Sequence, residues 1–215
     1  NLEKDKLTKR VKVTLEEFIA FKSADRICVP SKAEADCAAN KYHINLDKFR
    51  VCPNWVDVNQ FMPSDEKSPT YTIIFVGRLV EKKGPDVLIE ALKGIQDIHL
   101  VMIGDGSMKE VLESQAIKNG LDAEFLGRIS NEEIPGYLQK SHLYVLPTHH
   151  EGGSPKTLLE AMACGLPVIS TDGFGVDEVF EDGVEGIKVK FGDVNGLRNA
   201  IVKVMNNPIL GRQMG

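Results

Sequence analysis

From residue 71 onward the chain alternates between short, mostly apolar runs and longer segments whose apolar residues recur at helical spacing. YTIIFVG (71–77), IHLVMIG (98–104), AEFLG (123–127), HLYVLP (142–147), LPVIST (166–171) and GIKVKF (186–191) are the short runs. The helical period falls on 84–94, 107–119, 131–140, 155–164 and 193–206. A strand without polar alternation is buried on both faces, and strand–helix alternation builds parallel β-α-β units. The pattern predicts an α/β fold, a Rossmann-like doubly wound parallel sheet.

Ahead of residue 71 the pattern is sparser. Leu7, Val11, Leu15, Phe18 and Ile19 predict a helix over 1–24. Lys4, Lys6, Lys9, Arg10 and Lys12 cluster at its start; a solvated helix face is the simpler reading, a membrane-surface patch the other. DRICVP (25–30) and KFRVCP (48–53) read as strands, and Ser31 as the N-cap of a helix over 32–42. PNWVDVNQFMPSDEKSPT (53–70) has three prolines and no sustained period, which marks a linker between 1–52 and 71–215.

Composition narrows the function classes. With 215 residues, 42% apolar and 27% charged, the chain can bury a core and is not a disordered segment. No run of about 18 apolar residues exists, so no membrane-spanning helix is expected. A net charge of −5 argues against a nucleic-acid partner but leaves room for a local basic pocket. Cys28, Cys37, Cys52 and Cys164 form no C-x-x-C pair and read as reduced cysteines of a cytoplasmic protein. The first residues carry no signal-peptide core, and a chain that opens on Asn1 is expected to be an excerpt of a longer one.

Ligands of open α/β sheets bind beyond the carboxyl ends of the strands, so the loops there hold the candidate chemistry. In GRLVEKKG (77–84), Gly77 lets the backbone come close to a ligand. Arg78 can grip a phosphate with two parallel hydrogen bonds, and Lys83 adds a point charge. Gly104-Asp105-Gly106-Ser107 begins like a dinucleotide fingerprint, but Lys109 stands where G-x-G-x-x-G needs glycine, so a tight turn is the simpler reading. Gly127-Arg128-Ile129 either lines a flat ring or leads into the helix after Asn131. The richest loop is PTHHEGGSPKTLLEAMACG (147–165). Ser154 reads as an N-cap and Pro155 as the first helical residue, which would leave the N–H groups of Lys156 and Thr157 as an anion site. Glu160, further along, suits a pair of ligand hydroxyls. No D-x-D, nucleophile elbow or Walker lysine motif is present, and the adjacent His149 and His150 cannot share a helix face; no metal site and no cofactor are expected.

Together these segments resemble the group 1 (family 4) glycosyltransferases. GRLVEKKG, the strand-end GDG, FLGR, PTHHEGGSPKTLLEAMACGLPVIST, PNWVDVNQF and TDGFGVDEVFEDGVEG carry the likeness, from about residue 24 to the end. The resemblance implies a GT-B architecture, two Rossmann-like domains across a cleft. It makes 1–52 the tail of the acceptor-side domain, 53–70 the hinge and 71–215 the donor-binding domain. It implies a retaining hexosyltransferase of polysaccharide biosynthesis, moving sugar from a UDP- or GDP-sugar to a glycan or lipid-linked acceptor. The acceptor, and any peripheral contact with the inner face of a membrane, would belong to a domain outside this chain, leaving the fragment alone inactive.

By the same resemblance Arg78, Lys83 and Glu151 are catalytic. Arg78 and Lys83 match the diphosphate-binding pair, Glu151 the acid near the reacting carbon, and Glu160 the acid that holds the ribose. Lys156 and Thr157 sit where backbone amides meet the diphosphate, and Arg128 and Ile129 where a loop borders the base. Gly77, Asp105, Gly152, Gly153, Ser154 and Leu158 complete the nucleotide-sugar set. One departure stands out: eight residues, not seven, separate Glu151 from Glu160, and the Gly152–Ser154 loop absorbs the extra one. Two rival readings share the fold, a catalytically silent nucleotide-binding module and a nucleotide-sugar epimerase.

Overall fold

The computed structural model describes residues 15–149, 151, 153–173 and 175–215. Two compact units make up the chain, Asn1–Pro53 and Asn54–Gly215.

In the first unit the helical residues 15–23 (α1) precede β1 (Ile27–Val29), α2 (Lys32–Tyr42) and β2 (Phe49–Val51). Ser31 caps α2 as the sequence predicts, its Oγ accepting the Glu34 N–H at 3.1 Å. β1 and β2 pair in parallel, Ile27 opposite Phe49 and Val29 opposite Val51, with α2 as the crossover. The alanines of α2 and Tyr42 close over Val29 and Phe49, and Phe21 stacks on Tyr42 with centroids 4.9 Å apart. The basic cluster at 4–12 lies outside the described residues.

In the second unit every apolar run forms a strand: β3 (Tyr71–Val76), β4 (Ile98–Ile103), β5 (Ala123–Gly127), β6 (Leu143–Leu146), β7 (Val168–Thr171) and β8 (Gly186–Val189). The helices are α3 (Pro85–Leu92), α4 (Lys109–Lys118), α5 (Ile134–Lys140), α6 (Lys156–Ala163), α7 (Val194–Met205) and α8 (Pro208–Met214). Several are shorter than their apolar period. Residues 81–83 form a separate 3-10 turn ahead of α3, and 131–133 remain a turn ahead of α5, where the Glu133 carboxylate takes the Ser130 N–H and hydroxyl. The pattern missed α8, which Asn207 caps by accepting the Leu210 N–H at 3.1 Å and which buries Met214.

All six strands are parallel, in the order β5-β4-β3-β6-β7-β8. This is the Rossmann order, with its reversal between β3 and β6. Right-handed crossovers on either side of that reversal place their helices on opposite faces. Accordingly α3 packs between α4 and α7, while α6 lies against β6 and β7, and α5 against β3. The sandwiched strand residues, among them Ile73, Phe75, Leu100, Met102, Tyr144 and Ile169, are fully buried. The proline-rich stretch does not float free of this body: Phe61 is buried in the same core, and Val56 packs against it.

Candidate functional site

The reversal between β3 and β6 opens a crevice at their carboxyl ends. Two loops flank it, 77–84 after β3 and 147–155 after β6. They are laced together by backbone. The Lys82 carbonyl accepts the His149 N–H at 2.8 Å and the Thr148 hydroxyl at 3.2 Å. Gly84 has φ 65°, and a Cβ there would overlap the Pro147 carbonyl oxygen. Only glycine combines that left-handed backbone with so close an approach.

Lys83 and Glu151, which are 68 positions apart in sequence, meet across this seam as a hydrogen-bonded ion pair. Their side chains are 14% and 12% exposed, so both charges sit largely out of water. Removing one partner of such a pair strands the other charge, at a cost of about 3–5 kcal/mol when fully buried.

A cavity of about 770 Å³ opens over the carboxyl ends of β3, β4 and β5. Gly77, Arg78, Asp105, Arg128 and Ile129 line it, so three loops foreseen separately come together. Asn131 and Ile134 join them and were not foreseen. The GDG turn serves the fold. A Cβ on Gly104 would overlap the Gly77 carbonyl, one on Gly106 the Leu79 carbonyl, and Asp105 Oδ1 accepts its own turn's Gly106 N–H at 2.8 Å. Backbone contact between the two loops, not a dinucleotide, explains these glycines.

The second flank of the crevice is the start of α6. Ser154 does not cap it. Pro155 stands at that position with φ −63° and ψ 119°, and its carbonyl accepts the N–H groups of Leu158 and Leu159 at 3.1 and 3.3 Å. Ser154 is buried and its carbonyl is held by Asn54 Nδ2 at 2.6 Å, so the helix begins one residue later than the sequence reading. The N–H groups of Lys156 and Thr157 still have no intrahelical acceptor and point out of the first turn. Thr157 Oγ1 takes the Tyr144 hydroxyl at 2.7 Å, which ties α6 to the centre of β6. Burial holds the Tyr144 phenol far above its ordinary pKa, against the opposing effect of that bond.

Lys156 Nζ lies 3.7 Å from Glu160 Oε1 and 6.0 Å from the Trp55 ring centroid. Glu160 is 5% exposed, and burial raises its pKa despite Lys156. A buried carboxylate paired with an exposed lysine favours donors that replace its lost water. Leu158 turns its side chain into the core, and Gly153 is buried in the loop. Gly152 and His150 lie outside the described residues. Asn54 and Trp55, both beside α6, were read only as part of the PNWVD stretch; that motif was the signal for them. Among the described residues no three His, Cys, Asp or Glu side chains gather as metal ligands would, and no helix is long and apolar enough to cross a membrane.

The chain as a whole has counterparts among known proteins. The family model described as "Glycosyl transferases group 1" matches residues 58–215. The chain belongs to the group 1 glycosyltransferases. It is 36% identical over 143 residues to an uncharacterized glycosyltransferase of Methanocaldococcus jannaschii, covering 66% of this chain and 40% of that protein. It is 28% identical over 225 residues to the UDP-Gal:alpha-D-GlcNAc-diphosphoundecaprenol alpha-1,3-galactosyltransferase of Escherichia coli, covering 96% of this chain and 58% of that one. Its fold matches the crystal structure of Anabaena Alr3699/HepE in complex with UDP-glucose, with a TM-score of 0.84 at 23% identity over 95% of this chain and 59% of the other. The chain thus spans roughly half the length of these relatives, and its fold is one Rossmann-like half of the GT-B architecture.

Proposed function

We propose that this chain is mainly the donor-binding half of a retaining glycosyltransferase, which moves a hexose from a nucleotide diphosphate sugar to a glycan or lipid-linked acceptor. One observation carries the reading: Lys83 and Glu151 are joined across the strand-order reversal, between a cleft holding Arg78 and Arg128 and the start of α6. In this reading 71–215 holds the donor, and the unit ending at Pro53 is the tail of the acceptor-side domain.

The chemistry follows from the placement. Arg78, Lys83 and the first-turn N–H groups of α6 offset the charge that builds on the leaving diphosphate. Preorganised donors of this kind act where charge develops and need no reorganisation as the bond breaks. Glu160 takes the ribose hydroxyls, Glu151 the hexose hydroxyls near the reacting carbon, and the Arg128–Ile129 loop borders the base. Binding the remote nucleotide orients the sugar for attack. The bound UDP-glucose of Alr3699/HepE and the UDP-galactose named for the E. coli relative support a nucleotide-sugar donor for this chain also.

The test is calorimetric titration of the chain with UDP, GDP and ADP and then with their sugar conjugates. One nucleotide series binds, and Arg78→Ala weakens it at least tenfold, about 1.4 kcal/mol. Absence of binding by every nucleotide and sugar nucleotide sinks the reading. Retention is checked separately, from the anomeric configuration of the product made by the complete enzyme.

A further inference from the structure

The Lys83–Glu151 pair poses a question that the donor reading leaves open. A diphosphate drawn to Lys83 must share or take the cation that now neutralises Glu151. Both side chains are nearly dry, and the loops behind them are fastened by the His149 and Thr148 bonds to the Lys82 carbonyl, so neither charge retreats into water at no cost. What replaces the cation at Glu151 depends on what has bound.

We propose that the Lys83–Glu151 pair discriminates between the intact nucleotide sugar and the nucleoside diphosphate left after transfer, disfavouring the latter and so promoting its release. The proposal rests on the donor reading above. An intact donor brings both halves of an exchange. Its diphosphate takes Lys83, and hydroxyls of its sugar donate hydrogen bonds to the freed Glu151 carboxylate, an acceptor with room for several. The spent nucleoside diphosphate brings only the first half. It has no sugar hydroxyl to offer, and its outer phosphate, no longer esterified, carries about one more negative charge near neutral pH. Glu151 then faces an anion in a site with little water, its own cation shared with that anion. Like charges so placed repel far more strongly than they do in bulk water. The acid thus raises the cost of holding product without raising the cost of holding substrate.

Calorimetric titration of the 215-residue chain with UDP, UDP-glucose, GDP and GDP-mannose tests this. Glu151→Gln keeps size and polarity but removes the charge. In the nucleotide series that binds, Glu151→Gln tightens the nucleoside diphosphate and shifts the ratio of the two affinities about tenfold in its favour over the sugar nucleotide, on the scale of a lost charge repulsion in a partly dry site. Glu151→Asp, which keeps the charge, stays within about threefold of the wild-type ratio of the two affinities. Circular dichroism confirms that each variant is folded; a Glu151→Gln chain that does not fold leaves the decision to Glu151→Asp, together with the wild-type requirement that the sugar nucleotide binds more tightly than its diphosphate. Equal shifts for both ligands, or a weaker diphosphate in Glu151→Gln, overturn the proposal while the donor reading stands. No binding by the wild type of these four ligands, nor of ADP and its sugar conjugates, overturns both.

Discussion

The two ends of the large sheet are built from the same strands and treat charge in opposite ways. At the amino ends, Tyr71 stacks on His142 with centroids 4.9 Å apart, and His142 Nδ1 accepts the Thr72 N–H at 3.0 Å. Burial pushes Tyr71 up to about 12 and the Cys164 thiol up to about 11. It pushes His142 down, helped by nearby Lys67, and lowers Lys67 itself. Each of these shifts favours the uncharged form. At the carboxyl ends the loops hold Arg78, Arg128 and the Lys83–Glu151 pair, with N–H groups of α6 exposed beside them. At one end burial favours the neutral forms of these groups; the other keeps formal charge beside the crevice. Glu160 is the exception at the working end, its pKa raised by burial, and so the acid with most to gain from ligand hydroxyls.

The largest effect expected from breaking this contrast is on turnover. Arg78→Ala or Lys83→Ala in the complete enzyme lowers it at least about tenfold, the lower edge of what a lost charge-stabilising donor costs. Near-normal steady-state kinetics in both variants would move the chemistry away from these loops. Glu160→Ala weakens nucleotide affinity by about tenfold, the worth of one hydrogen bond to a charged group. An unaltered dissociation constant would take the carboxylate out of the site.

A smaller effect belongs to the seam. Gly84→Ala costs at least about 1–2 kcal/mol from the left-handed backbone alone, before the overlap with Pro147 is counted. Denaturant midpoints measure it, and a midpoint equal to wild type would mean the two loops are not fastened there. The smallest concerns the amino ends of the strands. His142 has a lowered folded-state pKa, so its neutral form is the one the fold favours. The stability it contributes is present above the unfolded value of about 6.5 and is lost as pH falls from there through the folded value. Melting temperature should therefore fall more steeply below about pH 6.5 in wild type than in His142→Asn. Parallel curves would show that His142 does not titrate with unfolding.

Much of this contrast was legible before any coordinates. Runs such as IIFV in β3 and LVMI in β4 are apolar at every position because helices cover both faces, and that reads directly as buried parallel strands. The loops rich in glycine and charge mark the carboxyl ends. What stayed hidden depends on long-range geometry. The partnership of Lys83 with Glu151 follows from the placement of β6 beside β3, which no local spacing encodes. The cap at α6 was misread because Asn54, 100 residues upstream of Ser154, holds the preceding carbonyl. The short α8 went unread because its seven residues include Pro208 and Gly211, which read as breakers and not as part of a helical period.

Trp55 gives the molecule a built-in optical readout. It is the chain's one tryptophan, its indole is 74% exposed, and Lys156 lies over its ring at the start of α6. Light absorbed by indole alone therefore excites a single position, and the emission reports the charge and wetness of that helix mouth. On the proposed donor reading, an anion that draws Lys156 off the ring is expected to change both at once. Occupancy of the crevice becomes a colour and an intensity, followed in real time without a label or a coupled assay.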